Sequence, residues 1–233
     1  GCFMLMHTGK QFQTSQNGLI TTSAAQTTSQ AEFAFEGSVF IGGAVVQWLR
    51  DGLHAFKNSA DIETLAQTVP DADGVVIVPA FTGLGAPYWN ADARGTIAGI
   101  PRGSTMAHFA RAALDSIAFQ STALLQAMSK DAVQHGGAPV SELRVDGGAC
   151  ANNLLMQIQA DLLGIPVIRP SVIETTALGA AYLAGLHCGI FSDLNALEKH
   201  WKIDRVFESK ISRDEATHRM VQWEHAVRQA VGV

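Results

Sequence analysis

The sequence predicts an α/β fold, a mixed sheet with helices on both faces. Three observations point there. Short apolar or β-branched runs crowd the first forty residues, a long helical pattern fills the middle, and strand and helix patterns alternate after it. At 233 residues the chain is long enough to bury a sizeable core.

Taken in order, residues 2–7 (CFMLMH) and 19–23 (LITTS) read as strands, with Asn17-Gly18 as a turn between them. Residues 31–35 alternate and lead to Glu36-Gly37. From Ser38 the spacing changes: Val39, Phe40, Ala44, Val45, Trp48 and Leu49 recur at helical intervals up to Asp51-Gly52. Residues 61–68 predict a short helix, and 74–81 (GVVIVPAF) a strand buried on both faces. The Gly-, Pro- and aromatic-rich stretch 82–103 reads as a long loop, of the kind that is functional or packs on its own side chains. Ser104-Thr105 cap a long helix over about 106–135. Then come a strand at 143–145, a helix at 152–163, a strand at 167–169, a helix at 176–188 and an amphipathic helix at 213–231.

Composition excludes several functions. A formal net charge of −5, with the basic residues scattered, argues against a nucleic-acid partner. Cys2, Cys150 and Cys188 make neither a disulfide framework nor a C-x-x-C site and read as reduced thiols of a cytoplasmic protein. No signal peptide is visible, and the most apolar long segment, 176–191, falls short of the roughly 20 residues that span a bilayer, so no membrane partner is expected. The chain opens without Met on Gly1-Cys2-Phe3-Met4-Leu5-Met6, a strand from its first residue. It is expected to be the C-terminal part of something longer.

The chemistry concentrates at 143–154, LRVDGGACANNL. A strand that breaks at Gly147-Gly148 and re-forms as a helix leaves backbone N–H groups facing the break, an arrangement suited to a phosphate. A tight strand-to-helix turn explains the same residues, since the segment lacks the third glycine of a dinucleotide fingerprint and the Gly-Lys-Ser/Thr of a P-loop. Gly42-Gly43 opens a second helix in a similar way, with Gln47 one turn on, whose amide can address a base or sugar; taken alone, these residues read better as a helix start packed tightly against the sheet. Asp146 is either a turn-capping carboxylate or one that reaches a metal through water. Phe81, Tyr88 and Trp89 line a pocket or form an aromatic mini-core under the long loop. The eight histidines have no metal-ligand spacing, and no Ser or Cys sits in a nucleophile frame.

Beyond these readings, the run Gly95-Thr-Ile-Ala-Gly99-Ile100, then seven residues to His108-Phe109, then Ala112-Ala113-Leu114-Asp115, resembles the C-terminal signature of the carbohydrate kinase family that includes glycerol, xylulose and gluconate kinases. Residues 1–6 (GCFMLM), 17–19 (NGL), 79–89 (PAFTGLGAPYW) and 93–95 (ARG) look like the glycerol kinase branch of it. The resemblance implies an actin-like, ribonuclease-H-like ATPase fold, with residues 1–233 as the C-terminal, nucleotide-binding domain and ATP with Mg²⁺ held in a cleft against an N-terminal domain absent from this chain. By position, Gly43, Gln47, Gly148 and Asn152 match nucleotide contacts, with the Gly148 amide near the phosphates and Asn152 near the adenine. Phe3 matches an aromatic that packs on the carbon skeleton of glycerol. The family's general base, an Asp, lies in the N-terminal domain, so no catalytic or metal-ligating residue is expected here and the chain alone is expected to be inactive. The implied reaction is ATP-dependent phosphorylation of glycerol to glycerol 3-phosphate, with homo-oligomerisation plausible by analogy. A kinase for another polyol or sugar, or a catalytically silent actin-like module, is the alternative.

Overall fold

A computed structural model describes residues 1–232. Its first sheet is antiparallel, in the order β1-β3-β2, from β1 (Cys2–Gly9), β2 (Ile20–Ser23) and β3 (Phe33–Val39). Alternation along β1 turns Cys2, Met4 and Met6 inward and leaves Phe3, Leu5 and His7 exposed. The third strand runs four residues past the expected break at 35. It is the central strand, and Glu36 pairs with Leu5 on one side and Ile20 on the other. Gly37 is therefore no turn. A Cβ there would lie 2.1 Å from Leu124 Cδ1, so the glycine is where a helix presses onto the sheet.

That helix is α3 (Met106–Gln134), 29 residues capped by Thr105, whose partner in the capping box is His108 instead of the usual Glu or Gln. Most of it is buried, and alanines at 107, 110, 112, 113, 118, 123 and 127 let neighbours approach closely. It packs against β1, β3, α1 (Ala44–Asp51), α2 (Asp61–Ala66), β4 (Val76–Val78) and α4 (Asn153–Leu163). The expected strand at 74–81 shrinks to the three residues of β4, ending at Pro79, which has no N–H for a ladder. Its antiparallel partner β5 (Thr96–Ala98) lies inside the stretch expected as loop, too short to show a period.

The last sheet is mixed. β6 (Leu143–Arg144) runs parallel to β7 (Val167–Pro170), and β8 (Ile203–Phe207) closes it antiparallel. Helices α5 (Thr175–His187), α6 (Leu194–Glu198) and α7 (Arg213–Val231) complete the chain; α6 and β8 have no counterpart in the sequence reading. Hydrogen bonding thus divides the strands into three small sheets around α3. No helix among the described residues is long and apolar enough to cross a membrane.

Two polar pins fix the loops. Asp131, in the last turn of α3, is fully buried and accepts from Ser15 Oγ, from the Gln16 N–H at 2.9 Å and from Asn17 Nδ2 at 2.7 Å. A carboxylate at the negative end of a helix is unfavourable, and the three donors offset that. On the long loop, Tyr88 donates to Glu224 Oε1 at 2.7 Å and accepts from Trp223 Nε1 at 2.8 Å, tying the loop to α7. Trp89 Nε1 donates to the Gly18 carbonyl at 2.6 Å, tying it to the β1–β2 connection.

Burial alone would raise the Asp131 carboxyl, but its Ser15, Asn17 and Gln16 donors hold it below the usual carboxylate range. With the native pKa below the unfolded value of about 3.9, the pin stabilises above roughly pH 4 and fades as pH falls through the lowered native value. Asp131→Asn is expected to cost ~1–3 kcal/mol at pH 7 in urea unfolding, with the gap to the parent chain narrowing below pH 4. Tyr88→Phe removes the oxygen that serves both Trp223 and Glu224, and the same assay is expected to show a loss of ~1–3 kcal/mol.

Candidate functional site

The D-G-G segment is held at its leading end. Gly147, at φ 75°, turns the chain through the left-handed region that favours glycine, and its N–H donates to the Ile173 carbonyl at 2.7 Å. Asp146 accepts a hydrogen bond from Thr175 Oγ1 at the start of α5, a long-range tie and not a cap on its own turn. Where a direct strand-to-helix step was expected, Gly148–Ala151 form a 3₁₀ turn, and Asn152 is the N-cap of α4, its side chain accepting from the Leu155 N–H at 2.8 Å.

This moves the open donors. The start of α4 is already filled, since the Leu154 N–H donates to Glu63 Oε1 of α2 at 3.0 Å and places a carboxylate on the positive end of the helix. The open donors lie one turn earlier, at the N–H groups of Gly148 and Ala149. Both residues are exposed, and neither N–H has an acceptor among the described residues. A Cβ built at Gly147 or Gly148 meets nothing within 4 Å, so a ligand can reach this backbone freely. Asn152 has one amide face committed to the cap, and its Nδ2 has no partner among the described residues.

The second glycine start has a matching geometry. Gly43 is the N-cap of α1 with no side chain capping it, and a Cβ there meets nothing within 4 Å. Gln47 lies one turn on and is exposed. Its neighbour Gly42 abuts β1, where a Cβ would come 2.9 Å from Cys2 Sγ. Phe3, the next residue of β1, is 67% exposed on that strand's other face. The structure sets the residue before Gly43 against Cys2, the neighbour of Phe3 on β1, and it links α1 to α4 through α2. Arg50 of α1 donates to Ser59 Oγ at 2.8 Å just ahead of α2, whose Glu63 reaches Leu154. No hydrogen bond among the described residues joins Gly43 or Gln47 to Gly148 or Asn152.

Cys150 is buried in the 3₁₀ turn, where desolvation pushes its thiol up, so it is a neutral core group. Phe81 packs on Trp48 with ring centroids 5.1 Å apart, and the two line a half-open cavity of about 380 Å³ with Ile77, Gly95, Thr96 and Ile97. Among the described residues no three His, Cys, Asp or Glu side chains converge as a metal site. Sequence reasoning missed three supports of the site: Glu63, Thr175 and Arg169. Arg169 alone carried a signal, as a charge inside an otherwise apolar strand.

Residues 1–188 match the model of the C-terminal domain of the FGGY family of carbohydrate kinases. The chain is 69% identical to a glycerol kinase of Polaromonas sp. (strain JS666) over 231 residues, covering 99% of this chain and 46% of that protein. A glycerol kinase of Variovorax paradoxus (strain S110) is 68% identical over 230 residues with the same coverage. The chain thus spans about half the length of the curated relatives it matches. Among solved structures, Plasmodium falciparum glycerol kinase with ADP superposes with a TM-score of 0.88 at 31% identity, over 98% of this chain and 45% of that one. Xylulose kinase from Lactobacillus acidophilus, at 22% identity and TM-score 0.79 over 99% of this chain and 45% of its own, shares the actin-like fold. With its family model matched over residues 1–188, the chain belongs to the FGGY family of carbohydrate kinases.

Proposed function

We propose that this chain is the nucleotide-binding half of a glycerol kinase, which moves the γ-phosphoryl of ATP to glycerol. The observation that carries the reading is the 69% identity to a glycerol kinase along nearly the whole chain. The site geometry supports it. In this reading the open N–H groups at Gly148 and Ala149 take phosphate oxygens, and the Asn152 amide addresses the adenine. Gly43 offers uncapped helix-start donors and Gln47 an exposed amide to the same nucleotide. Phe3 lays an apolar ring against the C–H face of glycerol.

Phosphoryl transfer depends on positioning and charge neutralisation. Mg²⁺ supplies neutralisation when bound to the ATP phosphates. In this reading the ion is held mainly through those phosphates and the part of the relatives' length that this chain does not span. The general base and most contacts to the glycerol hydroxyls belong to the part of the relatives' length that this chain does not span. That part would also cover Phe3 and Leu5, which are 67% and 59% exposed on one face of β1. We place the reaction in the cytoplasm, in keeping with three unpaired cysteines.

Joining this chain to the first half of the Polaromonas glycerol kinase, in place of that enzyme's matched half, tests the reading. The chimera is expected to release ADP in the presence of glycerol and far more slowly with xylulose or gluconate, while this chain alone shows no turnover. A folded chimera preferring another polyol or sugar would overturn the glycerol assignment. At the turn, Gly148→Val is expected to leave the melting temperature unchanged, since nothing in the protein lies near the new side chain. Calorimetric titration should show ADP affinity falling at least about tenfold. Unchanged affinity would remove Gly148 from the site.

A further inference from the structure

We propose that Arg169 is a positioning residue for the phosphate turn, and that the segment after the shared family domain braces it there. This rests on the nucleotide reading of Gly148.

Arg169 stands on β7 with its side chain only 12% exposed. Its Nη1 donates to the carbonyls of Cys150 at 2.8 Å and Ala151 at 3.2 Å, and its Nη2 to Asn153 Oδ1 at 3.0 Å. Those two carbonyls share peptide planes with the N–H groups of Ala151 and Asn152, so gripping them sets the trailing end of the 3₁₀ turn. The leading end is fixed by Gly147 on the Ile173 carbonyl and Asp146 on Thr175. Gly148 and Ala149 lie between, with their donors open. The guanidinium also puts a fixed positive charge at the carbonyl end of the turn, the favourable polarity. Sealed behind the turn, it acts on the ligand only through that backbone.

Arg169 is itself held from β8. Its Nε donates to Asp204 Oδ2 at 2.8 Å, and its guanidinium carbon lies 5.3 Å from the centroid of the buried Phe207 ring. Arg205 lies 4.6 Å from the same centroid. Asp204 and Phe207 fall beyond residue 188, where the family match ends. The strand that follows the shared domain thus feeds back onto its phosphate turn. A lysine cannot copy the arrangement, because one ammonium cannot reach four acceptors spread along a planar fork.

The test compares the parent chain with Arg169→Lys, Asp204→Asn and Gly148→Val, by calorimetric ADP titration and by hydrogen exchange of the 147–152 amides. Arg169→Lys is expected to weaken ADP binding about tenfold or more and to speed exchange at 147–152 while the core of α4 stays protected. Asp204→Asn, which leaves Arg169 in place, is expected to give a smaller change of the same kind. In the chimera, Arg169→Lys is expected to raise the KM for ATP and leave the KM for glycerol unchanged. Parent-like affinity in Arg169→Lys, while Gly148→Val binds weakly, would overturn this inference and leave the nucleotide reading standing. Weakened binding without faster exchange at the turn would overturn it too, as would faster exchange spread through the core. Failure of the parent chain to bind ADP would overturn the nucleotide reading and this inference together.

Discussion

The first sheet, β4 and helices α1, α2 and α4 are all placed by the burial of one helix. Twenty-nine residues of α3 reach about 43 Å, and its face toward the sheet is so tight that a glycine was needed opposite Leu124. Its alanines act as bearing surfaces, and three of its polar side chains each fix a connection that would otherwise wander. Arg111 donates to the Pro70 carbonyl at 3.0 Å ahead of β4. Gln120 donates to the Ile41 carbonyl at 3.1 Å, one residue before the paired glycines that open α1. Asp131 gathers the β1–β2 loop at the far end. A buried polar group without a partner is costly, so each of these contacts is specific as well as stabilising.

Legibility followed the strength of the local signal. The long helix and the tail helix were readable within a residue or so, because their apolar spacing persists over many turns and Thr105 and Ser212 stand as caps. The extension of β3 past Glu36 was not, because Gly37 carries a turn signal locally while its reason for being glycine is Leu124, more than eighty residues away. The short strands β5 and β8 were missed for want of enough residues to show a period; only pairing with β4 and β7 defines them.

The candidate site was legible in its exposed residues and illegible in its supports. Glycines, a side-chain amide and an exposed aromatic declare themselves by type. What decides which amides remain open is a carboxylate from α2, Glu63, and nothing in its own neighbourhood in sequence points to α4. The consequence is a shift of the open donors from the helix start, where dipole reasoning alone would put them, to the turn before it. Helix-dipole arguments from sequence hold only where no distant carboxylate has claimed the end first.

The unbroken interior of α3 has a mechanical meaning. No glycine or proline interrupts it from Met106 to Gln134, and close-packed interiors transmit displacement with little give. Ile41, held by Gln120 at the middle of α3, and the β1–β2 loop, held by Asp131 in its last turn, are fastened to the same rod. A push on the α1 start is therefore felt at the β1–β2 loop without a joint to absorb it. Seen this way α3 is a stiff beam, and any bending within the chain must come from a pivot outside it.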